Sequence, residues 1–136
     1  MKNTEDIRWK QRFQVFEKAF NRYKEAVEQN TLNELERNGL IQRFEYSIEL
    51  TWKVLGDFLT EKGFDDVNFP KDVIRQAFQS GIISSGQELI HALKIRNQLS
   101  HDYDFDKFTR YEVLIKNDFF KAIESVYLFL KNEFDK

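Results

Sequence analysis

The chain contains no cysteine. That excludes disulfides, thiolate zinc sites, iron–sulfur clusters and a cysteine nucleophile, and it fits a reducing, cytoplasmic compartment. There are two histidines, His91 and His101. A structural zinc site commonly needs four Cys or His ligands, so none is expected. No apolar run approaches the roughly 20 residues of a membrane helix. The first residues, Met1-Lys2-Asn3-Thr4-Glu5-Asp6, lack the apolar stretch of a signal peptide. Neither sign of charge dominates. Lys plus Arg is 21 and Asp plus Glu is 23, a formal net charge of −2. This argues against a protein that coats nucleic acid broadly, and leaves room for a small basic site.

Proline and glycine are also scarce, one and five among 136 residues. Such sparse punctuation favours long helices over many short strands. What the chain does have is aromatic mass: 15% of residues, with 14 Phe. That suffices for a packed core and is too much for a disordered chain. The length suits one domain over residues 1–136.

The apolar spacing predicts five helices. Trp9, Phe13, Phe16, Phe20, Tyr23 and Val27 recur at steps of four and three, one face of a helix over about 5–29. Leu40, Phe44, Ile48, Thr51, Leu55 and Phe58 stripe a second over about 33–62, widened by Ile41, Trp52 and Leu59. Gly39 is expected to kink it early, and Gly63 to end it in a left-handed turn. Pro70 suits the first turn of a short helix through Phe78, which Gly81 ends. Ser85-Gly86-Gln87-Glu88 reads as a capping box before a helix over about 86–99. The polar stretch His101–Lys107 reads as a break. A last helix follows over about 108–133, with Ile115, Phe119, Ile123, Val126 and Leu130 inward. The expected fold is all-α, an up-and-down bundle of the four-helix type. The aromatic content exceeds what one small bundle is expected to hide, which points to a self-associating face and a two-fold homodimer.

One polar cluster carries chemistry: Arg96-Asn97-Gln98-Leu99-Ser100-His101-Asp102-Tyr103. A His near its ordinary pKa moves protons at neutral pH. An Arg offers a planar, permanent positive charge that fits phosphate oxygens. Together they suit RNA cleavage by the RNA's own 2′-hydroxyl, a route that needs no metal. The spacing alone is weak, since an Arg five residues before a His arises by chance in about one such chain in nine. The bland alternative is a surface Arg beside a solvated His. On a continuous helix five residues turn about 140°, so the two side chains would not share a face. Either the helix ends between them or two protomers pair their side chains. Lys94, Arg96, Lys107 and Arg110 form a local basic cluster. His91 is expected to be an ordinary helical side chain with a local partner. Glu45 and Glu49 are expected to pair with the neighbouring Arg43 and Lys53.

The stretch Arg96-x4-His101-x-Tyr103, with Asn97 after the Arg, resembles the signature of the HEPN toxin (HepT-like) branch that pairs with small nucleotidyltransferases. Arg43–Lys53 is similar to that branch's long second helix, and PKDVIRQAFQSG from Pro70 to Gly81 to its short middle helix. The resemblance spans nearly the whole chain. It implies an all-helical domain that dimerises, with a composite site of Arg96 and His101 from both subunits and Asn97 in support. It implies a partner nucleotidyltransferase, encoded adjacently. It further implies either a ribonuclease toxin acting on RNA, silenced when the partner adds AMP to Tyr103, or a non-catalytic subunit that binds nucleotide or substrate for that enzyme. No cofactor is implied.

Overall fold

The first aromatic stripe is core from end to end. Trp9, Phe13, Phe16, Phe20 and Tyr23 are each at most 2% exposed. The computed structural model describes residues 4–101 and 105–136, with side chains over 7–99 and 108–136. Within them run six helices: α1 (Thr4–Val27), α2 (Glu34–Glu61), α3 (Pro70–Gln79), α4 (Gly86–His101), α5 (Phe105–Lys116) and α6 (Asp118–Phe134). No strand occurs among the described residues.

Four of these form the expected up-and-down bundle. α1 and α2 run antiparallel, because Arg12 meets Asp57 and Arg43 meets Glu25. α6 also opposes α1: Trp9 packs on Phe134 and Tyr23 on Phe120. α4 opposes α6, with His91 edge-on to Phe119 and Ser85 Oγ 3.2 Å from Ser125 Oγ. α3 leans on α2 and α4, and α5 closes beside α6. Phe44 of α2 stacks on Phe119 of α6 at 5.6 Å between centroids, in the middle of the bundle.

Local chemistry sets the ends. Asn33 and Glu36 form a reciprocal capping box at the start of α2, at 2.8 and 2.9 Å, which satisfies two otherwise unpaired amides. Pro70 occupies the first turn of α3, and the two stops have positive φ, +93° at Gly63 and +80° at Gly81.

α2 passes Gly39 without interruption. Two expectations are corrected. The last helix is two, interrupted at Asn117, whose side-chain amide donates to the Val113 carbonyl at 2.8 Å. A short polar side chain that bonds its own backbone competes with helix continuation. The stretch after His101 resumes helix at Phe105 rather than at residue 108.

Many of the rings are spent inside the chain, while Tyr46, Phe69 and Phe78 stay more than half exposed. Phe13, Phe16, Phe20, Phe44 and Phe119 are almost wholly enclosed. The exposed large apolar side chains, Leu35, Phe69, Val113 and Leu128 among them, are spread over several helices.

Polar ties join the helices across the core. The Tyr23 hydroxyl donates to the Ile115 carbonyl at the end of α5, and burial raises its pKa well above the ordinary value. Tyr127 donates to Glu17 at 2.6 Å. Burial, together with that bond and the Glu17 charge, pushes its pKa to about 12, so it remains a donor. Asp57 is the opposite kind of group. Burial raises its carboxyl pKa against the pull of Arg12 and Arg8, so the Arg12–Asp57 contact at 3.0 Å adds little net stability. No helix among the described residues is long and apolar enough to cross a membrane.

The two glycines Gly39 and Gly81 separate propensity from conformation. Neither has an atom within 4 Å of where a Cβ would lie. Gly39→Ala is expected to stabilise the fold by about 0.5–1 kcal/mol, because Ala suits a helix interior better. Gly81→Ala is expected to cost about 1–2 kcal/mol, because its φ of +80° strains any side chain. Urea unfolding of both variants checks this, and shifts of the same sign would contradict it.

Candidate functional site

α4 carries the Arg–His motif at its C-terminal end. Leu89, Ala92, Leu93 and Ile95 anchor it in the core. Arg96 lies one turn beyond Ala92 and Leu93, so its stem runs along the buried stripe and its charged head emerges at the edge. There the guanidinium meets Glu49 of α2 at 3.5 Å, with the two side chains 33% and 27% exposed. Glu49 also takes Lys53, one turn along α2, at 3.4 Å. The expected Glu49–Lys53 pair is therefore present. Arg43 turns away to α1 instead, where it bonds the Arg22 carbonyl at 2.7 Å.

Arg96 and Asn97 line an open groove of about 890 Å³ between α2, the start of α3, and α4. Asn97 is exposed on its rim. Tyr111 of α5 closes one side and donates to Gln98 Oε1 at 3.0 Å. Trp52 and Phe69 add aromatic surface. Four cations, Lys71, Arg75, Lys94 and Arg96, face two carboxylates, Glu49 and Asp72. The groove is thus locally cationic in a chain that is acidic overall. That local excess attracts phosphate oxygens.

The geometry decides one open point. α4 continues unbroken through His101. Residues 96 and 101 then leave the helix about 140° apart. The helix does not end between them. The His101 side chain lies outside the described residues, as does Tyr103. The Lys107 side chain does too, while Arg110 is exposed. His91 is exposed and contacts Phe119, in keeping with an ordinary helical residue. Among the described residues no group of three or more His, Asp or Glu is set to hold a metal ion.

Sequence reasoning missed Trp52, Phe69, Lys71 and Arg75 as groove residues. They lie far from Arg96 in the chain, and only the packing of α3 against α2 and α4 brings them there.

Residues 11–132 match the protein family described as nucleotidyltransferase substrate binding protein like. The chain belongs to this family. A crystal structure of a protein from Thermus Thermophilus is similar, at 30% sequence identity and a TM-score of 0.73. The match covers 82% of this chain and 94% of that one. No curated protein matches the chain. For a nucleotidyltransferase substrate-binding protein, the family description implies a nucleotidyltransferase as partner. Within that family frame, the groove beside Arg96 is the candidate place for a phosphate-bearing ligand.

Proposed function

We propose that the chain is the toxin-type subunit of a two-component system with a small, adjacently encoded nucleotidyltransferase. In this reading it is a cytoplasmic homodimer and a metal-independent endoribonuclease. Arg96 steadies the charge gathering on the scissile phosphate, and Asn97 helps orient it. The two His101 side chains of a dimer share the proton work. One removes the proton of the 2′-hydroxyl, whose oxygen attacks phosphorus. The bond to the 5′-oxygen breaks, and that oxygen takes a proton from the other. The products are a 2′,3′-cyclic phosphate and a 5′-hydroxyl.

The locally cationic groove at Arg96 supports the reading, and α4 runs unbroken through His101. Arg96 and His101 of one helix diverge by about 140°, so a shared phosphate calls for α4 ends from two protomers. Tyr103, two residues beyond His101, is the switch. Its nucleotidylation by the partner would add bulk and negative charge that oppose an RNA phosphate.

A second reading has its own support. The groove of about 890 Å³ is within the size range of small-molecule sites, which fits a non-catalytic subunit that presents nucleotide to the transferase.

Product analysis tests the first reading. Labelled RNA incubated with the chain in a metal chelator should yield cyclic-phosphate ends. Treatment with the partner enzyme and ATP should raise the intact mass by one nucleotide unit and stop cleavage, and Tyr103→Phe should prevent both effects. A requirement for added metal, or cleavage that persists in fully modified protein, would refute it.

A further inference from the structure

The groove holds more than the Arg–His pair needs. Its α3 end is built by Trp52 and the first turns of α3. Phe69 stands there 69% exposed, while five other Phe rings are almost wholly enclosed. It occupies the N-cap position of α3, at the mouth of the groove. Trp52 is half-buried, with the Lys53 ammonium 5.9 Å from its ring centroid. Its indole Nε1 is shut off from solvent with no acceptor among the described residues.

The cations beside these rings are also unspent. Lys71 and Arg75 lie one helical turn apart on α3, where like charges repel. Both are exposed, and neither forms an ion pair among the described residues. Lys94, across the groove on α4, is in the same state. Flat apolar rings interleaved with unneutralised cations are what an unpaired nucleotide requires: a π-face for the base and charge for its phosphate.

We propose that this end of the groove is a nucleoside-phosphate subsite, with the base on Phe69 and Trp52 and the phosphate on Lys71 and Arg75. It deepens the ribonuclease reading and rests on it only for placing the scissile phosphate at Arg96. The nucleotide comes either from an unpaired stretch of RNA or from a free nucleotide.

Tryptophan fluorescence of the full chain tests it, since Trp9 is buried in the core and Trp52 lines the groove. The probes are AMP and a 2′-O-methyl hexa-adenylate, which lacks the attacking hydroxyl. Saturable quenching is expected, and it should vanish in Trp52→Phe. Phe69→Ala should weaken binding about tenfold. Lys71→Ala/Arg75→Ala should weaken it similarly and reduce the salt slope for the hexa-adenylate by roughly 0.7. These residues are exposed, so melting temperatures should hold. A strand bound at least tenfold tighter than AMP identifies RNA as the source, and equal affinity identifies the free nucleotide. No quenching by either probe, or wild-type affinity in both exposed variants, overturns the subsite. Binding without cleavage of ordinary RNA by the unmodified chain contradicts the ribonuclease reading and leaves the subsite standing. Cleavage with an unchanged KM in these variants does the reverse.

Discussion

Arg96→Ala is expected to lower single-turnover RNA cleavage by about 10²- to 10³-fold, the loss typical when one preorganised donor to a developing charge is removed. The fold should barely change. The Arg96–Glu49 pair is 3.5 Å long and about a third exposed, so its net contribution is at most about 1 kcal/mol. Glu49 also keeps Lys53 at 3.4 Å, which spares it from isolation. Arg96→Lys retains the charge and loses the planar fork, so an intermediate rate is expected. Cleavage kinetics and a melting curve for the same preparations check both points. An Ala variant that cleaves within threefold of the wild type would remove Arg96 from the chemistry.

Phe44→Ala is expected to cost about 3–5 kcal/mol of stability. The ring is fully buried, stacks on Phe119 and meets Tyr23 edge-on at 6.1 Å. It therefore sits where α1, α2 and α6 converge. Tyr23 in turn bonds the Ile115 carbonyl, so a cavity at Phe44 loosens the end of α5 as well. Typical domain stability is only about 5–15 kcal/mol, and the melting temperature should fall by more than about 10 °C. Urea unfolding gives the free energy directly. A loss below about 1.5 kcal/mol would mean the ring is not packed as described.

The helical faces were legible because burial follows the 3.6-residue period. Phe13, Phe16, Phe44, Ile48, Ile123 and Val126 all lie where that period puts them. Pro70, Gly63 and Gly81 punctuate as their backbone preferences dictate. The break at Asn117 was hidden, because Ile115, Phe119 and Ile123 keep their step of four across it. The Asn33–Glu36 cap was present in the sequence as Asn-x-x-Glu and went unread.

Arg96 and Asn97, singled out by local pattern and family resemblance, both line the candidate groove. The partner surfaces came only with tertiary packing. Nothing in the sequence near Arg96 announces that Glu49 will hold it, or that Phe69, Lys71 and Arg75 will face it across a gap. Contacts between distant segments leave no periodic trace.

The proposed acid–base cleavage of RNA would depend above all on His101. The most direct measurement is cleavage of labelled RNA in a metal chelator by unmodified wild type and by His101→Ala, with intact mass confirming that Tyr103 carries no added nucleotide. Cleavage by the wild type is predicted, and none by the variant at the same helical content. Equal cleavage by both proteins would contradict the role of His101, and no cleavage by the unmodified wild type would contradict the ribonuclease itself.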